Sequence, residues 1–213
     1  MFIIDENCPH DIDDAFFHKD ILERLKIISA DESIPHFIFY GPVGSGKKAL
    51  INMFLKLLYD DTVTNVENSV YKVAGSGNNE TDVIVKQSNY HIVIEPNNNN
   101  FDRYLIQEVV QEYAKRMPLN VFSCKKVFKT VLINNVDNLS YYAQTALRRM
   151  MEKYSDTCRF ILWCRSLSKV IEPLNSRCLS IRVPSPTDRE MFSYVYKLSI
   201  QENITMSLHR IGI

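Results

Sequence analysis

The chain has 213 residues, 46% of them hydrophobic and 23% charged, which is the composition of an ordinary globular protein with a buried core. Its 25 basic and 25 acidic side chains give a formal net charge of zero, which excludes a DNA-binding module that works alone through an overall positive charge. No apolar run approaches the ~20 residues that span a bilayer, and the five scattered cysteines predict reduced thiols in a soluble, intracellular protein.

Short apolar runs alternate with helical patterns along the chain. This alternation predicts a doubly wound α/β fold with a parallel sheet that is covered on both faces. The runs predicted as core strands are 36–40, 90–95, 129–134, 159–164 and 179–183. Helical spacing of apolar residues predicts helices over 47–58, 104–117 and 141–154.

Residues 70–87 interrupt this alternation. Short strand patterns at 71–74 and 82–86 flank GSGNNE, which predicts a β-hairpin inserted before the second core strand. We expect the hairpin to decorate the surface, and the alternative is a tolerated loop insertion.

The stretch VPSP at 183–186 ends the α/β pattern, and a helical pattern begins at Asp188. This change predicts a nucleotide-binding domain over 1–186 and the beginning of a second, all-helical domain over 187–213.

The segment GPVGSGKK follows a predicted strand and precedes a predicted helix, which is the arrangement of a phosphate-binding loop, or P-loop. Glycines let backbone N–H groups turn toward phosphate oxygens, and the helix N-terminus adds partial positive charge. Lys47 occupies the position of the lysine that contacts phosphate. The predicted nucleotide-binding residues are Gly41, Pro42, Val43, Gly44, Ser45, Gly46, Lys47 and Lys48.

Three places depart from the pattern of a P-loop protein that hydrolyses ATP. Lys48 stands where a Ser or Thr hydroxyl normally binds Mg²⁺, and Asn134 and Asn135 stand where carboxylates normally serve the metal and the attacking water. Arg165 follows the next strand, where related ATPases have a polar residue that orients this water. Asp137 is interpreted as a turn or helix-capping residue. We expect ATP or ADP to bind weakly or without hydrolysis, and the binding of Mg²⁺ is in question.

The run at 141–187 resembles the small subunits of eukaryotic and archaeal replication factor C, a clamp loader of the AAA+ class. The family's Ser-Arg-Cys box is present as Ser176, Arg177 and Cys178, and the segments 18–26 and 34–48 match its early helix and P-loop. The lysine pair of the P-loop and the inserted hairpin are most similar to the subunit numbered three in animals and five in yeast, which has a degenerate ATPase site.

The resemblance implies roles for several charged residues. Arg177 would reach the ATP of the adjacent subunit as an arginine finger, and the alternative is a surface arginine in a loop. Arg148, Arg149 and Glu152 would lie at the side facing other subunits, and the alternative is an Arg148–Glu152 pair on a solvated helix face. Arg103 and Lys56 are candidates for contact with DNA phosphates, although Lys56 also fits an ordinary exposed helix lysine.

The implied partners are other replication factor C-type subunits in a heteropentamer, a sliding clamp of the PCNA type, and primer–template DNA. Val109, Val110 and Tyr113 are interpreted either as an apolar anchor for the clamp or as core. The family's helical lid would be incomplete and its collar domain absent in this chain. The resemblance places the protein in the nucleus or, for a virus, at the site of viral DNA replication.

Two other functional classes remain open on the residues alone. A stand-alone P-loop ATPase or nucleotide kinase needs a Mg²⁺-binding hydroxyl and an acidic base, which are missing from their usual positions. A structural adaptor that binds no nucleotide is the second alternative.

Overall fold

The helices and strands follow the predicted alternation. The computed structural model describes residues 15–59, 61–74, 80–96, 102–115, 126 and 128–201. The helices are α1 (Lys19–Ala30), α2 (Lys47–Tyr59), α3 (Asp102–Lys115), α4 (Tyr141–Lys153), α5 (Glu172–Asn175) and α6 (Asp188–Gln201). The strands are β1 (His36–Tyr40), β2 (Glu67–Ala74), β3 (Glu80–Gln87), β4 (His91–Ile94), β5 (Lys129–Ile133), β6 (Cys158–Cys164) and β7 (Cys178–Arg182).

The seven strands form one sheet in the order β2-β3-β4-β5-β6-β1-β7. The five strands from β4 to β7 in this order pair in parallel, while β3 pairs antiparallel with β4 and β2 pairs antiparallel with β3. The predicted parallel α/β sheet is therefore confirmed, and each predicted core strand lies within one residue of an observed one at both ends.

Both faces of the parallel sheet are buried along β4, β5, β6 and β1, which explains why these strands are mostly apolar, whereas β7 at the edge has no buried residue. In β1, Phe37 and Phe39 point to one face and pack in a core with α1 and α2, whereas Ile38 points to the other face and packs with α3 and α4. All three side chains are fully buried.

The predicted hairpin is present, but the expectation that it only decorates the surface is wrong. The strands β2 and β3 extend the sheet at one edge, and Tyr71, Val73 and Val85 belong to the core on the α3 side. Val70 and Ile84, which pair across the two strands, are exposed on the opposite face. The hairpin thus has an alternating pattern with one buried face, as expected for an antiparallel edge.

The apolar stripe of α3 is core. Val109, Val110 and Tyr113 are at most 1% exposed and pack in the same core as β4 and β5. The interpretation of these three side chains as an anchor for a clamp is therefore wrong, because the sheet already covers them.

The helix α6 begins with a capping box. The Thr187 hydroxyl accepts a hydrogen bond from the Glu190 backbone N–H at 3.4 Å, and the Thr187 backbone N–H donates to Glu190 Oε2 at 2.8 Å. None of the α6 residues is buried. The predicted helix after Asp188 is confirmed, and its assignment to a second domain stays a prediction. Within the described ranges, every helix is too short or too polar to cross a membrane.

One buried histidine, His91, and one partly buried histidine, His36, make stability depend on pH. Burial lowers the pKa of His91 to about 4, and burial together with the charge of Arg159 lowers the pKa of His36 to about 4. An unfolded chain binds these protons near pH 6.5, so the neutral histidines stabilise the fold above that pH and their contribution is lost as the pH falls toward 4.

We therefore expect the free energy of unfolding in urea to fall between pH 6.5 and pH 4, with each histidine contributing about 2–3 kcal/mol over this interval. A His91→Gln variant should be less stable at pH 7.5 and should show a shallower fall. An equally steep fall in the variant would contradict the assignment to His91.

Candidate phosphate-binding site

The P-loop, residues 41–48, connects β1 to α2 at the carboxyl end of the parallel sheet, where ligands bind in open α/β folds. The predicted order of strand, loop and helix is confirmed. The first backbone hydrogen bond of α2 runs from the Leu50 N–H to the Gly46 carbonyl oxygen at 3.0 Å. The loop therefore directs the N-terminus of a 13-residue helix toward the site.

The loop depends on its glycines in two ways. Gly44 and Gly46 have φ values of 80° and 83°, in the left-handed region that favours glycine. At Gly41 the constraint is space, because a Cβ atom there would lie 2.0 Å from the Val183 carbonyl oxygen of the segment after β7.

The Lys47 ammonium lies inside the loop. It donates to the carbonyl oxygens of Gly41 at 2.8 Å and Pro42 at 2.6 Å, and Nζ is 5.5 Å from the centre of the Trp163 ring. Burial is the main cause that lowers the pKa of Lys47, and the charge of Arg165 lowers it further. These carbonyl groups hold the lysine where phosphate oxygens would compete for it.

A cavity of about 210 Å³ adjoins the loop and is lined by residues 43–48 together with Trp163 and Arg165. The side chains of Lys47, Lys48 and Arg165 bring three positive charges to it. The structure thus brings Arg165 to the P-loop, as predicted from the sequence, and the cavity has the charge of an anion site.

Asn134 connects the ends of three neighbouring strands. Its Nδ2 donates to Glu95 Oε1 at 2.9 Å, and its Oδ1 accepts from the Trp163 indole N–H at 2.6 Å. An indole N–H only donates, so the orientation of the amide follows from its neighbours. The side chain is 7% exposed. Asn134 therefore has a structural role at the position where a carboxylate would serve a metal.

Asn135 turns the chain out of β5. It has φ 48° and ψ 53°, a left-handed conformation that asparagine tolerates better than most residues. The short 3₁₀ helix Val136–Asn138 follows. Like Asn134, Asn135 lacks the carboxylate needed to activate water.

Asp137 belongs to the site, which the sequence did not indicate. Its Oδ2 accepts from the Arg165 backbone N–H at 3.3 Å. Burial and, to a lesser extent, the charge of Asp137 raise the pKa of the Cys164 thiol, and the same charge partly opposes the lowering of the pKa of Lys47. Asp137 lies in the 3₁₀ turn after β5, which agrees with its interpretation as a turn residue. The capping interpretation is wrong, because Ser140 caps α4 by accepting from the Ala143 N–H at 3.3 Å.

His18 was also missed as a site residue. Its Nε2–H donates to the Ser45 carbonyl oxygen at 2.9 Å. The neighbouring Phe17 ring lies 5.1 Å from the Tyr194 ring of α6. Residues before α1 thus connect the P-loop to α6, a contact between distant segments that leaves no local sequence signal.

Arg177 lies between α5 and β7 and is held by two contacts. Its Nη2 lies 2.7 Å from Glu152 Oε1, and its Nη1 donates to the Pro173 carbonyl oxygen at 2.6 Å. Glu152 Oε1 is also 3.3 Å from Arg148 Nε, which confirms the predicted Arg148–Glu152 pair. Three predicted residues therefore meet on one surface, whereas Arg149 is exposed elsewhere on α4. Their contact with another subunit stays a prediction.

A buried glutamine links α4 to the segment that precedes α5. Gln144 Nε2 donates to the carbonyl oxygens of Leu139 at 3.1 Å and Lys169 at 3.0 Å, and its Oε1 accepts from the Ile171 N–H at 2.9 Å. It fixes α4 against the segment that precedes α5. In the sequence, the signal for this contact is the position of Gln144, a polar residue within the apolar stripe of α4.

The two candidates for DNA contact lie apart from the P-loop cavity. Arg103 is exposed near the start of α3, with its guanidinium carbon 6.0 Å from the centre of the Tyr104 ring. Lys56 is half-buried on α2. Neither lines the cavity, and their contact with DNA stays a prediction.

The Asn134 contacts imply that a carboxylate cannot simply be restored at this position. Asn134→Asp places a carboxylate beside Glu95 and removes one hydrogen bond, so we expect a loss of about 1–2 kcal/mol in the free energy of unfolding at pH 7. Glu95→Gln should restore most of this loss in the double variant, because the glutamine amide can donate to the new carboxylate. Urea denaturation measures the free energy of unfolding of the single and the double variant.

The matched control is Asn138→Asp, the same change at an exposed residue nearby. Its stability should stay within ~0.5 kcal/mol of the parent chain, as is usual for surface substitutions. An Asn134→Asp variant as stable as this control would contradict the structural role.

Comparisons with known proteins agree with the geometry. The family model described as DNA polymerase III, delta subunit, matches residues 17–187. Relatives named as replication factor C small subunits include one from Acanthamoeba polyphaga mimivirus, 41% identical over 97% of this chain and 56% of its own length. Replication factor C subunit 3 of Arabidopsis thaliana is 39% identical over 97% of this chain and 59% of its own length. The subunit 3 of Homo sapiens is 35% identical over 95% of this chain and 57% of its own length.

The chain thus spans somewhat more than half the length of these relatives. Solved structures share the fold at low identity. A DNA polymerase III gamma subunit-related protein of Thermotoga maritima has a TM-score of 0.52 and 14% identity, covering 79% of this chain and 47% of that one. C. elegans PCH-2 has a TM-score of 0.51 and 16% identity, covering 92% and 48%. The chain therefore belongs to the clamp-loader family of AAA+ proteins that includes the replication factor C small subunits.

Proposed function

We propose that the chain is the P-loop part of a clamp-loader small subunit that holds a nucleotide without hydrolysing it and contributes Arg177 to the site of a neighbouring subunit. The observation that carries this proposal is Asn134, locked between Glu95 and Trp163 where a hydrolysing site needs a carboxylate. Residues 187–213 would begin the helical lid.

Hydrolysis requires a metal ligand and a base close to the terminal phosphate. Neutral amides at Asn134 and Asn135 cannot take a proton from water, and a positioned general base is typically worth about 10²–10⁴ in rate. Lys48 and Arg165 add positive charge where a P-loop enzyme has a hydroxyl and a polar residue. These replacements support binding of phosphate more than its cleavage.

Arg177 has the exposure and the donors for a role outside its own chain. Its side chain is 38% exposed, and Glu152 and Pro173 engage two of its nitrogens. An arginine has five N–H donors, so donors remain for a phosphate of the next subunit. A trans-acting arginine of this kind is worth about 10³–10⁵ in rate.

The implied partners follow from membership in the family. We propose a heteropentamer with other replication factor C-type subunits that loads a PCNA-type clamp onto primer–template DNA, in the nucleus or at a site of viral replication. Several subunits that each supply a few phosphate contacts, here Arg103 and Lys56, would reconcile DNA binding with a neutral chain.

A turnover assay separates this proposal from a stand-alone ATPase or kinase. With Mg·ATP, we expect the chain to release phosphate at the background rate, and Lys47→Ala to leave that rate unchanged. Phosphate release above background that disappears in Lys47→Ala would contradict the proposal and favour an active enzyme.

Reconstitution with partner subunits tests Arg177. We expect Arg177→Ala to lower the DNA- and clamp-stimulated ATPase of the assembly by about 10³-fold or more at the neighbouring site, since a finger contributes this much. Arg177→Lys should also be deficient, because an ammonium lacks the planar fork of a guanidinium.

The matched control is Arg24→Ala, an exposed arginine on α1 to which no subunit contact is assigned. This variant should assemble equally well and retain the stimulated activity. Unchanged ATPase in Arg177→Ala, with normal assembly, would contradict the proposed arginine finger.

A further inference from the structure

The side chains around the P-loop do not fit a divalent metal. P-loop proteins hold Mg²⁺ with a Ser or Thr hydroxyl after the lysine and with a carboxylate from a neighbouring strand. The residue after Lys47 is Lys48, and an ammonium has three donors and no acceptor. On the strand side, both polar atoms of Asn134 are already engaged by Glu95 and Trp163.

Asp137 is the remaining carboxylate beside the P-loop lysine. Its Oδ2 accepts from the Arg165 backbone N–H, while its Oδ1 is buried without a hydrogen-bond partner. Mg²⁺ in nucleotide sites is held by one or two carboxylates together with phosphate oxygens and waters, so a metal site here would depend on Asp137. Across the ranges that the structure describes, no three His, Cys, Asp or Glu side chains group as metal ligands.

Cationic side chains occupy the region instead. Lys48 is exposed and lines the P-loop cavity together with Lys47 and Arg165. It also lines an adjoining cavity of about 320 Å³, whose wall includes Lys86, Glu95 and Asn134. Lys48 thus stands at the boundary between the phosphate loop and the strand ends, which is the region where a bound metal would neutralise phosphate charge.

We infer that this P-loop binds the phosphates of a nucleotide without a divalent metal, with the Lys48 ammonium in place of the cation. The inference rests on the proposed nucleotide binding and specifies its ligand as metal-free ADP or ATP. Lys47, Lys48, Arg165 and the N-terminus of α2 supply positive charge to the phosphates, and the same ammonium disfavours a second cation beside it.

The experiment compares ADP binding in excess EDTA and in excess Mg²⁺, measured by isothermal titration calorimetry on the 213-residue chain. Trp163, the single tryptophan, lines both cavities and provides a second readout through its fluorescence. We expect the dissociation constants of the parent chain in the two buffers to agree within about twofold, far below the tenfold change that 1.4 kcal/mol produces.

Two substitutions at the same position separate charge from metal binding. Lys48→Ser removes the ammonium and supplies a hydroxyl, so ADP binding in EDTA should weaken by about tenfold, as for the loss of one charge-assisted hydrogen bond, and should recover in Mg²⁺. Lys48→Arg keeps the positive charge, so its dissociation constant for ADP should be the same in EDTA and in Mg²⁺. Far-ultraviolet circular dichroism checks that each variant is folded.

A parent chain that binds ADP tenfold or more tightly in Mg²⁺ than in EDTA would overturn the inference, and loss of that gain in Asp137→Asn would identify the metal ligand. Absence of ADP binding in both buffers, with Lys47→Ala indistinguishable from the parent chain, is a different result. It would overturn the proposed nucleotide site and favour a structural adaptor.

Discussion

The parallel pairing of β4, β5 and β6 is the constraint on which the site depends. Ile94 pairs with Ile133, and Ile133 pairs with Leu162, so the next residues along the three strands are Glu95, Asn134 and Trp163. Because parallel strands end at the same edge, these side chains meet in one row. The hydrogen bonds within the row engage the residue that would otherwise face a metal. The hydrogen bonds of Asn134 therefore both stabilise this edge of the sheet and place a neutral amide where a hydrolysing site has a carboxylate.

The sequence predicted the buried part of the fold well, for a physical reason. Strands covered on both faces, such as Phe37–Phe39 in β1, are continuously apolar and stand out from their surroundings. The edge hairpin was underestimated because its strands alternate, and polar residues such as Glu67 and Gln87 lie at their ends. The hairpin, which carries the buried Tyr71 and Val73, was consequently expected to decorate the surface.

The candidate site was likewise predicted only in part from the sequence. The P-loop was predicted because its residues are contiguous and each has a local reason, such as the positive φ of Gly44. The contacts of Asn134 were not predicted, because they join three strands whose order and register are set by the packing of the whole sheet. Asp137 looked like a turn residue for the same reason, since only the tertiary structure brings Arg165 beside it.

The edge of the sheet beside the P-loop cavity is connected to Arg177 through α4, which gives the proposed role a geometric basis. The chain leaves β5 through the left-handed Asn135, Ser140 begins α4, and Gln144 fixes that helix to the segment preceding α5. Glu152, two turns further along α4, then holds Arg177. The links after Asn135 are hydrogen bonds or ion pairs of Ser140, Gln144 and Glu152. The Gln144 links are buried and therefore sensitive to the loss of a partner. A surface ion pair alone contributes little to stability, typically about 0–1 kcal/mol. The Glu152–Arg177 contact is therefore better explained by the position in which it holds the guanidinium than by the stability that it adds to the fold.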